Sequence, residues 1–251
     1  MQVFAARVGL TARGVVYILM GALAFLIARG DRAEVDQKSA LTQVLRRPYG
    51  SWMVALLGIG FGCYALWRFY EALTKRGRLR TTGSRVLLFT RGVIYALLAF
   101  TAVSVLHGST QHQSTQQRDY ARTIMSHRDG RWLVGLIGFI ILVVGITQVN
   151  EGIKLRFMRN FQGQNISPAV RRWIRQLGRI GTIARGFVFV ITGLLVVSAA
   201  WTDNASKATG LDGAVKTLLN QRFGALLLGV VATGLIIFGI YGLAEARYRH
   251  I

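Results

Sequence analysis

The sequence contains a single cysteine, Cys63, and only two prolines. One cysteine excludes an intramolecular disulfide framework and a metal site built from several thiolates. Because proline interrupts helices, two prolines among 251 residues favour long helices over a loop-rich fold. The first residues, MQVFAARVGL, lack the ordered charged, apolar and cleavage regions of a secretory signal. We therefore expect them to begin a retained first helix.

Charged residues are also scarce, and acidic residues are fewer than basic ones. Charged residues make up 16% of the chain, whereas about a quarter is usual in soluble domains. The 31 basic and 10 acidic residues give a formal net charge of +21. In a soluble protein that excess would indicate nucleic-acid binding, but here the basic residues cluster between apolar blocks, as in membrane proteins. We therefore expect anionic phospholipid, and no nucleic acid, as a partner.

Six apolar blocks separate the basic clusters, and each lies near the length of about 20 residues that spans a bilayer. None of them alternates with a period of two, which disfavours barrel strands. The sequence therefore predicts an all-α integral membrane protein with six transmembrane helices, in preference to a large soluble helical bundle. The predicted spans are roughly 8–28, 52–70, 86–106, 132–150, 181–201 and 223–244.

The distribution of Lys and Arg predicts the orientation of these spans. The N-terminal stretch, the second and fourth loops and the C-terminal tail hold 19 of the 31 basic residues. The first, third and fifth loops hold the other 12, together with seven of the ten acidic residues. Because loops rich in Lys and Arg stay in the cytoplasm, both termini are predicted to be cytoplasmic.

An arginine–glycine pair recurs near the start of every odd-numbered span, in LTARGVVY (10–17), LFTRGVIY (88–95) and TIARGFVF (182–189). A glycine precedes each even-numbered span, and a glutamate follows that glycine by 21 residues in all three copies. Each unit is therefore a helix, an outer loop and a second helix. Since an even number of spans separates the units, they run in parallel. The landmarks are Arg13, Arg91 and Arg185; Gly50, Gly130 and Gly224; and Glu71, Glu151 and Glu245.

The predicted architecture is three tandem helical hairpins, in residues 1–78, 79–160 and 161–251. A pseudo-threefold arrangement of the hairpins is the natural closed form, and an irregular bundle is the alternative. The outer loops contain SALTQVLRRPYG, DYARTIMSHRDG and GAVKTLLNQRFG, which place apolar residues at matching positions with helical spacing. This pattern predicts a short amphipathic helix in each outer loop.

These features resemble a known family. Tandem two-helix units that open with Ala-Arg-Gly, carry an outer amphipathic helix and begin the second span with glycine are similar to the bacterial membrane family catalogued as domain-of-unknown-function family 1206. The resemblance covers nearly the whole chain as three units. The units differ at single positions, since Thr90 replaces the alanine of the other two and Phe189 replaces their tyrosine. The resemblance implies an integral protein of the bacterial inner membrane and no established activity.

The arginine of each pair is predicted to lie inside the membrane. The apolar run after Arg13 has 15 residues, which correspond to about 22 Å of helix, whereas the hydrocarbon core is about 30 Å thick. The same shortfall follows Arg91 and, nearly, Arg185. The membrane-spanning part of each helix must therefore include its arginine. An unpaired charge at that depth costs a few kcal/mol.

The repeated glutamates are predicted to reach the same depth, since 21 residues from the outer glycine correspond to about 32 Å of helix. We therefore predict ion pairs between the arginines and the glutamates, within a unit or between neighbouring units, with bidentate contacts. The pairs either fix the hairpin register alone or form an anion-binding pocket or ring around the axis. The residues of this predicted site are Arg13, Arg91, Arg185, Glu71, Glu151 and Glu245.

Two further sets of residues point to contacts with helices and with lipid. Glycines on the span faces allow close helix packing, and this set is Gly14, Gly58, Gly62, Gly92 and Gly186. The fourth loop contains NISPAVRRWIRQLGR, in which Ser167 and Pro168 are predicted to begin a helix. Its apolar and basic faces predict an interfacial helix on an anionic leaflet or, alternatively, a partner-docking helix. The lipid-interface residues are Arg171, Arg172, Trp173 and Arg175.

Signals for catalysis and for cofactors are weak. The four histidines are scattered, and no HExxH pattern, P-loop or Rossmann fingerprint occurs. We therefore expect no catalytic or metal site, no cofactor and no enzyme activity. The leading interpretation is a scaffold or accessory subunit that binds anionic lipid, a membrane-protein partner or a second copy of the chain. The alternative is an anion or proton channel or carrier that uses the arginines along the repeat axis.

Overall fold

A computed structural model describes residues 2–30, 35–46, 48–73, 82–108, 113–127, 129–161 and 166–248. Over these residues the chain forms helices and no β-strand, as predicted. A 3-10 helix at Arg156–Phe161 lies between the sixth and seventh α-helices. In chain order the α-helices are α1 (Gln2–Ala28), α2 (Gln37–Leu45), α3 (Gly50–Leu73), α4 (Thr82–Leu106), α5 (Gln113–Met125), α6 (Gly130–Ile153), α7 (Pro168–Trp201), α8 (Leu211–Leu219) and α9 (Gly224–Tyr248).

Six of these helices, α1, α3, α4, α6, α7 and α9, are long and apolar enough to cross a membrane. This agrees with the six predicted spans and indicates a multi-pass membrane protein. Trp52, Trp132 and Trp201 lie at the span ends that adjoin the outer loops, and their side chains are 77%, 69% and 86% exposed. Tryptophan is enriched at the interface between membrane and water, so these residues mark one edge of the bilayer.

A short helix precedes each even-numbered span, since α2, α5 and α8 form where the outer loops were predicted to be helical. Every one of these spans begins with glycine. A Cβ atom at Gly50, Gly130 or Gly224 would overlap a carbonyl oxygen of the preceding short helix. The repeated glycine therefore allows the chain to turn tightly from the outer helix into the span.

The fifth span and the basic segment of the fourth loop form one helix, α7, of 34 residues. Ser167 and Pro168 begin it as predicted, with the serine hydroxyl accepting a backbone N–H of the first turn at 3.4 Å. The segment predicted to form an interfacial helix is therefore the N-terminal part of the same helix as the fifth span. The helix continues through Gly178, which packs against the Phe157 ring, and through Gly181, which packs against the backbone of Phe238.

The most extensive helix contacts join different repeats. The second span of one repeat packs along the first span of the next, in the pairs α3–α4, α6–α7 and α9–α1. Within repeats, α1 contacts α3 and α7 contacts α9, but less extensively. Over the described residues, α4 and α6 form no comparable contact. The predicted hairpins are therefore not the main packing units of the bundle.

Glycines lie at the centre of two of these contacts. A Cβ atom on Gly14 of α1 would lie 2.7 Å from the carbonyl oxygen of Gly239 in α9, and a Cβ atom on Gly239 would lie 2.5 Å from that of Gly14. Gly186 of α7 and Gly145 of α6 face each other in the same way, with distances of 3.0 and 2.9 Å. The glycine beside the arginine is therefore the residue at which the backbones of neighbouring repeats cross.

The third contact, between α3 and α4, is built differently. A Cβ atom on Gly92 would lie 2.7 Å from the ring of Phe69, so a side chain rather than a backbone faces this glycine. Of the two glycines predicted to pack in α3, Gly58 faces the Ala102 methyl group at 3.1 Å. Gly62 has no described atom within 4 Å of its Cβ position, and the prediction that it packs within the chain is therefore wrong.

One apolar cluster fills the space between α1, α3, α4 and α9. Met20, Val54 and Phe61 belong to it, and each is at most 1% exposed. The cluster continues into the outer helices through Leu41 of α2 and Val215 of α8, which are fully buried. The interior of this part of the bundle is therefore apolar from the middle of the spans to their outer ends.

One added methyl group tests the role of the crossing glycines. Gly186→Ala is expected to lower the thermal unfolding temperature, because the new Cβ would lie 2.8 Å from the Val149 nitrogen and 3.0 Å from the Gly145 oxygen, and overpacking costs about 1–3 kcal/mol. Gly62→Ala is the control and should be neutral or stabilising, since alanine is the better helix former by about 1 kcal/mol. Equal changes in the thermal unfolding temperature of the two variants, measured in detergent, would contradict the assignment of Gly186 as a crossing residue.

Candidate functional site

The arginine of the first repeat forms an ion pair with the glutamate of the third. The Nη2 atom of Arg13 lies 2.5 Å from Oε2 of Glu245, and the two side chains are 15% and 5% exposed. The Cζ atom of Arg13 also lies 5.4 Å from the centroid of the Phe238 ring, within the range of a cation–π contact. The pair lies beside the crossing of Gly14 and Gly239, so backbone approach and charge pairing occur at the same place.

Arg185 of the third repeat contacts aromatic rings instead. Its Cζ atom lies 5.0 Å from the ring centroid of Phe238, 5.1 Å from that of Phe189 and 5.3 Å from that of Tyr17. Tyr17 and Phe238 pack edge to face, with centroids 4.8 Å apart. Within the described part of the chain, the guanidinium group makes no hydrogen bond and no ion pair, although its Nε atom is buried. The rings stabilise the cation but leave its N–H donors unused.

Two tyrosines extend the site toward α3 and α4. The ring centroids of Tyr64 and Tyr95 lie 4.3 Å apart, and Tyr95 interacts electrostatically with both Arg13 and Arg185. Tyr95 belongs to the second repeat, so side chains of all three repeats meet here. We call this group the arginine–aromatic cluster, and it consists of Arg13, Tyr17, Tyr64, Tyr95, Arg185, Phe238 and Glu245.

Arg68 lies next to this cluster and was missed by the sequence analysis. Its side chain is 2% exposed and donates hydrogen bonds to Glu71 at 2.7 Å and to the Tyr64 hydroxyl at 2.5 Å. Its Cζ atom lies 4.2 Å from the ring of Trp67. The spacing of Arg68 from Tyr64 and Glu71, four residues before and three after, places all three on one helix face. This spacing was the available signal for the contact.

The other predicted ion pairs differ from expectation. Glu71 contacts Arg68 of its own helix rather than a repeated arginine. Glu151 is exposed at the end of α6 and forms no ion pair with a described residue. It does not meet Arg185 across the α6–α7 contact, because Arg185 is directed toward the rings of α1 and α9. The side chain of Arg91 lies outside the part of the chain that the structure describes.

The predicted lipid-interface residues lie on the N-terminal extension of α7. Trp173 is 65% exposed there. It precedes Trp201 by 28 residues, which correspond to about 42 Å of helix, and a bilayer with its headgroups is about 40–45 Å thick. The extension can therefore reach the far headgroup layer as a continuation of the span. The exposed residues of this segment are Arg171, Arg172, Trp173 and Arg175.

Charge removal tests the ion pair. Glu245→Gln is expected to lower the free energy of unfolding by about 3–5 kcal/mol, because it leaves Arg13 as an uncompensated buried charge. Arg13→Gln should cost much less in that background than alone, since the pair is already broken. Glu151→Gln is the matched control and should change stability by less than about 0.5 kcal/mol, because its side chain is exposed. Additive effects of the Arg13 and Glu245 changes in detergent unfolding would argue against a stabilising pair.

Comparisons with known proteins agree with the internal repeat. The family model described as Domain of Unknown Function (DUF1206) matches residues 8–75, 86–154 and 180–249, and each match contains one of the repeated arginines and one of the repeated glutamates. A protein of Bacillus subtilis (strain 168) named "Uncharacterized protein YxxB" is 30% identical over 253 aligned positions, which cover 98% of this chain and 90% of the relative. No solved structure matches the chain. The chain therefore belongs to the Domain of Unknown Function (DUF1206) family and carries three tandem copies of its unit.

Proposed function

We propose that the protein is a non-enzymatic scaffold or accessory subunit of the bacterial inner membrane, which holds anionic lipid or a membrane-protein partner. The observation that carries this proposal is the apolar interior on the outer side of the arginine–aromatic cluster. Buried side chains such as Met20, Phe61 and Leu41 form one continuous cluster from the spans to the outer helix α2. Ion conduction uses a polar lining or a passage that can fill with water, so this interior favours a structural role.

The order of the helix contacts supports a cyclic arrangement of the repeats. Each second span packs on the first span of the next repeat, and the third repeat returns to the first through α9 and α1. This is the contact pattern expected of parallel repeats around an axis along the membrane normal. Because α4 and α6 form no comparable contact over the described residues, the proposed threefold symmetry is approximate. A bundle closed in this way presents its apolar outer face to lipid or to another membrane protein.

The charge distribution supports a topology with both termini in the cytoplasm. The stretches assigned to that side hold 19 of the 31 basic residues. In this orientation the α7 extension, with Arg171, Arg172 and Arg175, meets the cytoplasmic leaflet. Anionic lipids of that leaflet attract each nearby Lys or Arg by about 1 kcal/mol. The extension is therefore the surface at which we propose that the scaffold meets lipid headgroups.

A conduit for anions or protons is the second candidate function, and one observation favours it. The buried Nε atom of Arg185 has no hydrogen-bond partner in the described chain, so an anion could bind there. An anion that passed Arg185 would next meet the apolar cluster around Met20 and Phe61. Because an anion is strongly disfavoured in such surroundings, we rank the conduit below the scaffold.

A flux assay separates the two candidates. Proteoliposomes that contain the purified protein are expected to pass chloride, phosphate and protons no faster than protein-free vesicles, because the apolar cluster closes the interior. The measurement is the dissipation of an imposed ion or pH gradient. A flux that appears with the wild-type protein and disappears with Arg185→Gln would establish the conduit and replace the scaffold proposal.

Native mass spectrometry of gently solubilised membranes tests the scaffold directly. We expect the chain to be released with bound anionic phospholipid, with another membrane protein or with a second copy, because a scaffold retains what it organises. Adducts of the same type on an unrelated six-span protein, prepared in parallel, give the background. A chain released with no more lipid or protein than this background would argue against the scaffold.

A further inference from the structure

Arg185 is the described member of the arginine–aromatic cluster whose charge has no protein counterpart. Its guanidinium group carries five N–H donors, and the buried Nε atom has no hydrogen-bond partner among the residues that the structure describes. Arg13 occupies the corresponding position in the first repeat, but there Glu245 neutralises the charge. Arg185 is partly buried, and a cation that is partly withdrawn from water gains from an acceptor. The third repeat therefore keeps a cationic group that an external anion can satisfy.

The surrounding rings determine how such an anion can approach. Tyr17, Phe189 and Phe238 each lie within 5.3 Å of the Cζ atom of Arg185. Cation–π contacts engage the charge of a guanidinium group and leave the N–H donors at its edge unbonded. Two parallel N–H groups on that edge match two oxygens of a phosphate group. The arrangement thus favours a tetrahedral phosphate over a small spherical anion.

A second donor lies within electrostatic range. Tyr95 interacts electrostatically with both Arg13 and Arg185, and it is 8% exposed. A phenolic hydroxyl can donate one hydrogen bond to a phosphate oxygen. Arg185 and Tyr95 come from different repeats, so a ligand between them would connect the third repeat to the second.

The depth of Arg185 is compatible with ligands from the membrane and from water. It precedes Trp201, at the outer end of α7, by 16 residues, which correspond to about 24 Å of helix. The hydrocarbon core is about 30 Å thick, so Arg185 lies near the inner edge of that core. Lipid headgroup phosphates and dissolved phosphate both come close to this edge.

We propose that Arg185, held by Tyr17, Phe189 and Phe238, is a binding site for one phosphate group, either the headgroup of an anionic lipid or a free phosphate ion. Arg13 is not part of this site, because Glu245 already occupies it. The inference deepens the proposed scaffold function and rests on it, since it names the site and the ligand class. Of the two repeated arginines whose side chains the structure describes, Arg13 and Arg185, it assigns anion binding to Arg185 alone.

The test uses the full chain in neutral detergent, with Arg185→Gln as the variant. The first arm adds phosphatidylglycerol or phosphatidylcholine and counts retained lipid by native mass spectrometry. The second arm titrates inorganic phosphate by calorimetry. Loss of a charge-assisted hydrogen-bonded pair corresponds to about a tenfold or greater loss of affinity. Arg222→Gln, which removes the same charge from an exposed position distant in sequence, should bind like the wild type.

The two arms distinguish the sources of the phosphate. If Arg185→Gln retains less phosphatidylglycerol than the wild type, the ligand is a lipid headgroup. If the variant binds inorganic phosphate more weakly, the ligand is a free phosphate ion. If neither arm differs between Arg185→Gln and the wild type, the inference is wrong. The scaffold proposal survives that result as long as lipid or a partner is still retained. Should Arg185→Gln fail to fold, Arg185→Lys keeps the charge but loses the paired donors, and unchanged binding by that variant overturns the inference equally.

Discussion

The buried ion pair between Arg13 and Glu245 is the interaction on which the rest of the structure depends. The apolar segment after Arg13 is too short to cross the hydrocarbon core alone, so the helix extends through the arginine. The charge then needs a partner inside the bundle. Gly14 allows α9 to approach α1 backbone to backbone, and this approach delivers Glu245 to Arg13. Arg13 and Gly14 thus act together, because the glycine allows α9 to pack closely and α9 carries the glutamate that pairs with the arginine.

The first and third repeats satisfy the same constraint in different ways. In the first, a carboxylate neutralises Arg13. In the third, the glycine crossing with α6 is kept, but Arg185 turns toward aromatic rings and leaves Glu151 exposed. The Arg13–Glu245 ion pair already joins the first repeat to the third. The contacts of the other arginines can therefore differ between repeats. The remaining arginine is then free to acquire a role outside the fold.

Much of the fold could be predicted from the sequence because it depends on local period and spacing. Six spans, three outer helices and the shared depth of arginine and glutamate follow from apolar length and residue counts alone. The partners of each charge could not be predicted in this way, since they depend on which helices approach. The spacing of three residues on one helix indicates that Arg68 can meet Glu71, but nothing local shows that Glu245 meets Arg13 rather than another arginine. The continuity of α7 likewise depends on how Gly178 is packed.

The most direct test of the central claim is a cryo-electron microscopy map of the protein in a lipid nanodisc, detailed enough to show side chains. The account predicts that α1 and α9 cross at Gly14 and Gly239, with the Arg13 guanidinium against Glu245 and inside the headgroup layer. Helices α1 and α9 held apart, with Arg13 extended into bulk water and no carboxylate nearby, would contradict it.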